Sequence, residues 1–240
     1  MSMTAREVRK ELRKLASPQK AAILRRFFKT GPGEYGEGDV FLGIPVPALR
    51  RVAAVFREMR LGQVDRLLQS TVHEERFVAL LLLLCRFRRG SAAERRHIYR
   101  LYFRRTPFIN SWDLVDLSAG PVVGAYLENR SREPVFRLAE SSDLWERRIA
   151  VMATFPYVRS GRFVETLRLA RALLEDEEPL IHKAVGWMLR EIGKRDTATL
   201  EKFLRQHAGR MPRTMLRYAI ERYPPQKRRR FLRMGTGGRS

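Results

Sequence analysis

The sequence predicts an all-α protein, a curved α-solenoid of stacked helical pairs, and three observations carry that reading. Helix-start signals recur along the whole chain, and apolar residues return at helical spacing between short polar or glycine-containing breaks. No segment alternates apolar and polar residues as a half-buried strand would. A basic-apolar-small-apolar pattern also recurs at a regular interval.

The elements follow in order. Thr4-Ala5-Arg6-Glu7 can form a capping box, Thr and Glu each satisfying an orphan amide of the other, which starts a first helix. Ser17-Pro18 opens a second, with serine at the cap and proline where its missing N–H costs nothing. Residues 30–46 (TGPGEYGEGDVFLGIPV) carry five glycines and two prolines and must be a long loop. Helical periodicity then covers Pro47 to Met59, Leu61 to Gln69, His73 to Arg88 and Ala92 to Arg104. It continues over Trp112 to Leu127, with a break expected at Gly120-Pro121, and over Arg132 to Ser141, Asp143 to Phe155 and Phe163 to Leu174. Pro179 to Lys194, Thr197 to His207 and Pro212 to Tyr223 complete the series, the last ending before Pro224-Pro225.

Residues 1–225 are therefore expected to form one helical-repeat domain. The remaining residues, 226–240, hold Lys227-Arg228-Arg229-Arg230 and Arg233 before a glycine-rich end. They are expected to be a disordered basic tail that touches phosphates without reading sequence.

The repeat is visible in Arg76-Phe-Val-Ala-Leu-Leu, Arg147-Arg-Ile-Ala-Val-Met and Lys183-Ala-Val-Gly-Trp-Met. The second and third are 36 residues apart and the first two are 71 apart, which places another member near residue 112, where Trp112-Asp-Leu-Val-Asp lies. Two helices per 36 residues is the mark of HEAT-like or tetratricopeptide-like stacking, in which each pair buries its apolar face on its neighbours and the stack offers a concave surface. A non-repeating helical bundle is the alternative.

Forty-eight Lys and Arg against 26 Asp and Glu give a formal net charge of +22. Self-repulsion on that scale points to a polyanionic partner, nucleic acid first. The competing explanation is arginine spread over solvated helix faces. Anionic membrane is a weaker rival, because the longest apolar run, Val78 to Cys85, falls far short of the ~18 residues of a span. Cys85, the single cysteine, is expected to be a buried thiol in a reducing compartment. Residues 1–14 alternate charged and apolar residues and lack a signal-peptide core, which argues against secretion and leaves the sequon at Asn129 to Ser131 without meaning.

His73, His97, His182 and His207 do not fall at metal-ligand spacing with Cys85 or one another, and no phosphate-cradling or serine-hydrolase motif is present. The tryptophans stand out instead. Trp112 and Asp116 are i and i+4, sharing one helix face, and Trp145 and Arg148 are i and i+3. Core packing for the tryptophans and an ordinary surface charge for Asp116 are the plain alternatives.

Asn110-Ser-Trp-Asp-Leu-Val-Asp116, Leu144-Trp-Glu-Arg-Arg148-Ile-Ala and Lys183-Ala-Val-Gly-Trp187-Met-Leu-Arg-Glu191, in that order, resemble the AlkD-like family of DNA alkylation repair enzymes, which are alkylpurine DNA glycosylases. Phe41-Leu-Gly-Ile44 and Pro47 extend the resemblance, so that it covers most of residues 20–195. It implies a curved stack of HEAT-like helix pairs with a basic concave face holding duplex DNA. It also implies that Trp112 and Trp187 flank the lesion, that Asp116 is the catalytic carboxylate and that Arg148 clamps the DNA backbone. Lys183 and Arg190 would be further DNA contacts. The implied partner is double-stranded DNA containing alkylated purines, acted on by a cytoplasmic, nucleoid-associated prokaryotic monomer without cofactor or metal.

The implied reaction is hydrolysis of the N-glycosidic bond of a cationic 3- or 7-alkylpurine, largely without flipping the base. Two features depart from the better-known members. Phe27 stands where they carry a tyrosine and can stack without donating a hydrogen bond, and the loop from Gly31 to Asp39 is longer. Its Glu34, Tyr35, Glu37 and Asp39 have no role derivable from sequence, and an acidic loop beside a basic groove could narrow access for DNA. The alternatives to catalysis are a DNA-structure-binding repeat protein without enzymatic activity and a protein scaffold whose charge is incidental.

Overall fold

The computed structural model describes residues 3–234, which are helical apart from loops; a single parallel bridge joins Val40 to Val72, and there is no strand among the described residues. The chain falls into two compact units, residues 1–118 and 119–240, where the sequence leads one to expect a single domain over 1–225.

The first unit contains α1 (Ala5–Lys14), α2 (Pro18–Phe27), α3 (Val46–Val55), α4 (Leu61–Leu68), α5 (His73–Arg89), α6 (Ala92–Arg104), a 3-10 turn (Thr106–Phe108) and, from its first residue to Ser118, α7 (Trp112–Ala119). The capping box forms as expected: the Glu7 amide donates to Thr4 Oγ1 at 3.3 Å and the Thr4 amide to Glu7 Oε2 at 2.8 Å. Helix α5 is the centre of the unit, with α1, α3 and α4 packed on it. Its middle, Phe77 to Cys85, is apolar all round, and Leu80, Leu82 and Leu83 are fully buried. Each such leucine contributes about 1.5–3 kcal/mol by leaving water.

Cys85 is only partly buried, contrary to the expectation of a buried thiol. The reason is helical geometry: Leu81 and Cys85 are i and i+4, and this stripe of α5 is the one its neighbours leave half covered.

The second unit begins with a π turn (Gly120–Gly124) and continues through α8 (Ala125–Leu127), α9 (Glu133–Ala139), α10 (Leu144–Ala153), α11 (Phe155–Arg159), α12 (Val164–Ala172), α13 (Pro179–Gly193), α14 (Thr197–His207), α15 (Arg213–Ala219) and α16 (Pro225–Met234). The break expected at Gly120-Pro121 is instead this π turn, which carries the chain past a proline lacking the N–H that an α-helix would use. Tyr157 donates to the Gly124 carbonyl at 2.9 Å and so satisfies one acceptor of the widened turn. Helix α10 packs on α9 and α13, and α13 on α15. Gly186 permits the last contact: a Cβ there would lie 2.5 Å from the Met215 carbonyl oxygen. It is the small residue of the repeated motif.

The second helices of successive pairs start at His73, Trp112, Leu144, Pro179 and Arg213, close to the interval read from sequence. The fold is thus all-α and solenoid-like. The tail expectation is corrected over residues 226–234, which form most of α16. Phe231, 3% exposed, anchors this helix, and Lys227 pairs with Glu201. Residues 235–240 lie outside the described residues. No helix among those described is long and apolar enough to cross a membrane.

Candidate active site

In the first unit, three segments distant in sequence meet around the start of α7. Leu114, Val115 and Ser118 are fully buried and fix one face of that helix, which leaves Trp112 and Asp116 together on a partly exposed face. Asp116 is not a core residue, and Trp112, though partly exposed, packs against the buried cluster of Ala21, Phe28 and Phe41. The Trp112 ring stacks on Phe28 at 5.4 Å and 14°, Phe28 on Phe41 at 5.0 Å, and Phe41 on the His73 imidazole at 4.5 Å. Phe27, 61% exposed, meets Trp112 edge-on at 6.0 Å. Both phenylalanines come from the end of α2, and the Tyr35 hydroxyl donates to the Phe27 carbonyl at 3.4 Å.

Beneath the rings lies a charged network. His73, the first residue of α5, sets Nδ1 3.0 Å from Asp39 Oδ2 and Nε2 2.9 Å from Asp113 Oδ2. Ionised carboxylates only accept, so the form of the ring that satisfies both contacts is the cationic imidazole, which donates from both nitrogens. Burial lowers the His73 pKa, yet its hydrogen bonds to Asp113 and Asp39 outweigh this and the net shift is upward. Arg76 donates to both oxygens of Asp39, at 2.7 and 2.8 Å, and to the Ser70 carbonyl at 2.9 Å. Burial alone would raise the Asp39 carboxyl, but His73 and Arg76 hold it below the usual range.

The loop at 30–46 is tied down from within and from α5. Glu34 accepts from the Gly31 amide at 2.9 Å and Glu37 from the Gly33 amide at 2.8 Å. Buried Glu74 takes the amides of Leu42, Gly43 and Ile44 at 2.8 to 3.2 Å. Gly43 has a φ of 82°, and a Cβ there would come 2.3 Å from the Ser17 carbonyl oxygen, so only glycine lets the loop pass the start of α2. A mainly apolar cavity of about 280 Å³ opens between α2 and this loop, with Phe28, Phe41, His73 and Asp113 in its wall.

Asp116 carries its charge near Tyr102, whose hydroxyl is raised first by burial and further by Asp116, against the 2.9 Å hydrogen bond with Ser118.

The second unit carries the other sequence-predicted residues. Arg148 on α10 is 4% exposed and donates to the Leu180 carbonyl at 2.6 Å. Trp187 on α13 is partly exposed, its ring tilted against Phe155 at 5.9 Å. Lys183 is exposed, and Arg190 is ion-paired with Glu221. Trp145 is a core residue, 7% exposed. Phe27, Trp112 and Asp116 therefore belong to one unit and Arg148, Lys183, Trp187 and Arg190 to the other.

Sequence reasoning assigns no role to Phe28, Asp39, Arg76, Glu74, Asp113 or His73. Asp113 lies inside the motif from Asn110 to Asp116, but its partner is 40 residues away and no spacing connects them. No group of three or more His, Cys, Asp or Glu suited to a metal ion occurs among the described residues.

The model of the family described as DNA alkylation repair enzyme matches residues 8–223. Among solved structures, one described as a predicted DNA alkylation repair enzyme from Enterococcus faecalis superposes with a TM-score of 0.68 at 19% identity, covering 88% of this chain and 97% of its own. The crystal structure of smu.31 from Streptococcus mutans UA159 gives a TM-score of 0.48 at 16% identity, with full coverage of both chains. No curated protein is significantly similar to the chain.

Proposed function

The chain belongs to the DNA alkylation repair enzyme family, and from that premise we propose that it is a monofunctional DNA glycosylase releasing cationic 3- or 7-alkylpurines from double-stranded DNA. The observation that carries the reading is the placement of Trp112 and Asp116 on one partly exposed face of α7, with Phe27 edge-on to the tryptophan.

A purine alkylated at N3 or N7 is already a cation, so its glycosidic bond is weakened and the base departs as a neutral species without a general acid. Aromatic faces attract such a base by about 0.5–2 kcal/mol each and give a neutral base no equivalent gain, which supports roles for Trp112 and Trp187 in choosing the lesion. As the bond from C1′ to the base nitrogen breaks, the sugar gains oxocarbenium character. The Asp116 carboxylate would stabilise that charge and orient a water whose oxygen bonds to C1′ while its proton passes to solvent. Lys183, exposed on α13, is assigned to the DNA backbone; Arg148, buried against the Leu180 carbonyl, and Arg190, paired with Glu221, would reach a phosphate only by giving up those partners, and the net charge of +22 supports tight, salt-sensitive association.

The loop at 30–46 bears on the concern that its acids might obstruct DNA. Glu34, Glu37 and Asp39 are engaged with loop amides or with His73 and Arg76, which favours a structural role for them.

The test is incubation of the protein with methylated duplex DNA and chromatography of released bases. Release of 7-methylguanine or 3-methyladenine above background is expected. Its absence, with salt-dependent duplex binding retained, would favour the non-catalytic DNA-binding alternative.

A further inference from the structure

We propose that His73 is a positioning residue for the candidate site, joining the loop at 30–46 to the first turn of α7 through Asp39 and Asp113 and thereby fixing Trp112 and Asp116. The inference rests on the glycosylase reading for what these two residues do, but its geometry stands by itself.

The contacts form a closed circuit. From Trp112 the ring stack runs to Phe28, to Phe41 and to the face of His73, and the His73 edge returns through a 2.9 Å hydrogen bond to Asp113, the residue next to Trp112. Four segments supply its members: α2 gives Phe28, the loop gives Phe41 and Asp39, α5 gives His73, and α7 gives Trp112 and Asp113. The groups facing His73 are Asp39 from the loop, Asp113 from α7, and Arg76 and Glu74 from α5, while Lys20 of α2 lines the same cavity. Arg76 opposes a second cation and Glu74 is occupied by three loop amides, so Asp39 and Asp113 decide the state of the ring.

The circuit depends on both ring nitrogens donating. When the proton is lost, one nitrogen becomes an acceptor facing a carboxylate that also only accepts, and that side of the bridge turns from attraction to repulsion. The link to Asp113 or to Asp39 then opens, and the exposed face of the first turn of α7 loses its polar tie, leaving the ring stack on Trp112 and the buried face of Leu114 and Val115 to hold it. Because the folded-state pKa of His73 lies above its ordinary value of about 6.5, the circuit is complete below that pH and is released as pH rises through the folded value.

Three measurements on the full chain test this. The first is an NMR titration of histidine ring signals: the His73 resonance should titrate above 6.5, and Asp113→Asn should lower its midpoint. The second is the emission of Trp112 in a Trp145→Phe/Trp187→Phe background without DNA, which should change with that same midpoint. In a His73→Gln version the change should vanish. The third is base release, where kcat should fall through that midpoint in the wild type, and His73→Gln should lower it roughly 10- to 100-fold with KM little changed and the pH step gone.

A His73 midpoint at or below 6.5, or Trp112 emission indifferent to it, overturns the proposal whether or not base release occurs. If both signals behave as expected while no base is released, the glycosylase reading fails and the circuit stands. Should His73→Gln fail to fold, the wild-type titrations and Asp113→Asn decide alone.

Discussion

Replacing Glu74 tests whether the loop at 30–46 is held from α5. Its Oε1 accepts from the amides of Leu42, Gly43 and Ile44 at 3.1, 2.8 and 3.2 Å, and its Oε2 from Leu42 at 3.0 Å. Glu74→Gln keeps one oxygen for these amides but removes the charge and sets an amide donor against the Leu42 N–H. A hydrogen bond to a charged group contributes about 1.5–3 kcal/mol and a neutral one about 0.5–1.5, so three bonds losing about 1 kcal/mol each give a loss of roughly 2–3 kcal/mol. Glu74→Ala leaves three amides without their acceptor and should cost more, about 3–5 kcal/mol. Urea unfolding followed by circular dichroism gives the global figure, and hydrogen exchange at the amides of 42–44 gives the local one. If Glu74→Gln lies within about 0.5 kcal/mol of wild type and those amides remain as protected as before, the loop is held by something else.

Phe28→Ala removes the centre of the stack between Trp112 and Phe41, the two ring separations being 5.4 and 5.0 Å, and should cost about 3–5 kcal/mol in urea unfolding while exposing Trp112 to a fluorescence quencher. Asp39 is held below its ordinary pKa, so its stabilisation is complete above about pH 3.8 and is lost as pH falls through the folded value. Urea midpoints should consequently fall more steeply below pH 4 in the wild type than in Asp39→Asn, and parallel curves would count against the ion pair. On α16, Arg229→Gln/Arg230→Gln/Arg233→Gln should flatten the log–log dependence of DNA affinity on salt by about 0.9 for each phosphate no longer neutralised, with helicity unchanged; an unaltered slope would remove α16 from the DNA interface.

Much of the fold is legible because it is written locally. The Thr4 and Ser17 caps, the run from Ala92 to Arg104 and the segment from Thr197 to His207 all form as their own residues dictate. The misread places are those where a neighbour decides. Pro121 reads as a break, but Tyr157 from α11 supplies a donor to the turn that carries the chain through it. Residues 226–234 read as an arginine-rich tail, and the single apolar anchor Phe231 holds them as a helix.

The site divides in the same way. Trp112 and Asp116 are four apart on one helix, so their common face follows from helical periodicity. The His73 circuit joins residues 34 and 40 positions apart, and its charges read as ordinary surface residues until the fold buries them. Arg148 shows the converse: its motif makes it a candidate, and only the structure reveals that its guanidinium is buried against the Leu180 carbonyl.

Whether a carboxylate on α7 assists departure of a cationic base is the question on which the proposed function turns. Single-turnover release of 7-methylguanine by wild type and Asp116→Asn, with duplex affinity measured on the same samples, tests it most directly. The expected result is a rate lower by about 100- to 1,000-fold in Asp116→Asn, with affinity within about threefold of wild type. An unchanged rate, or a rate and an affinity that fall together, would contradict it.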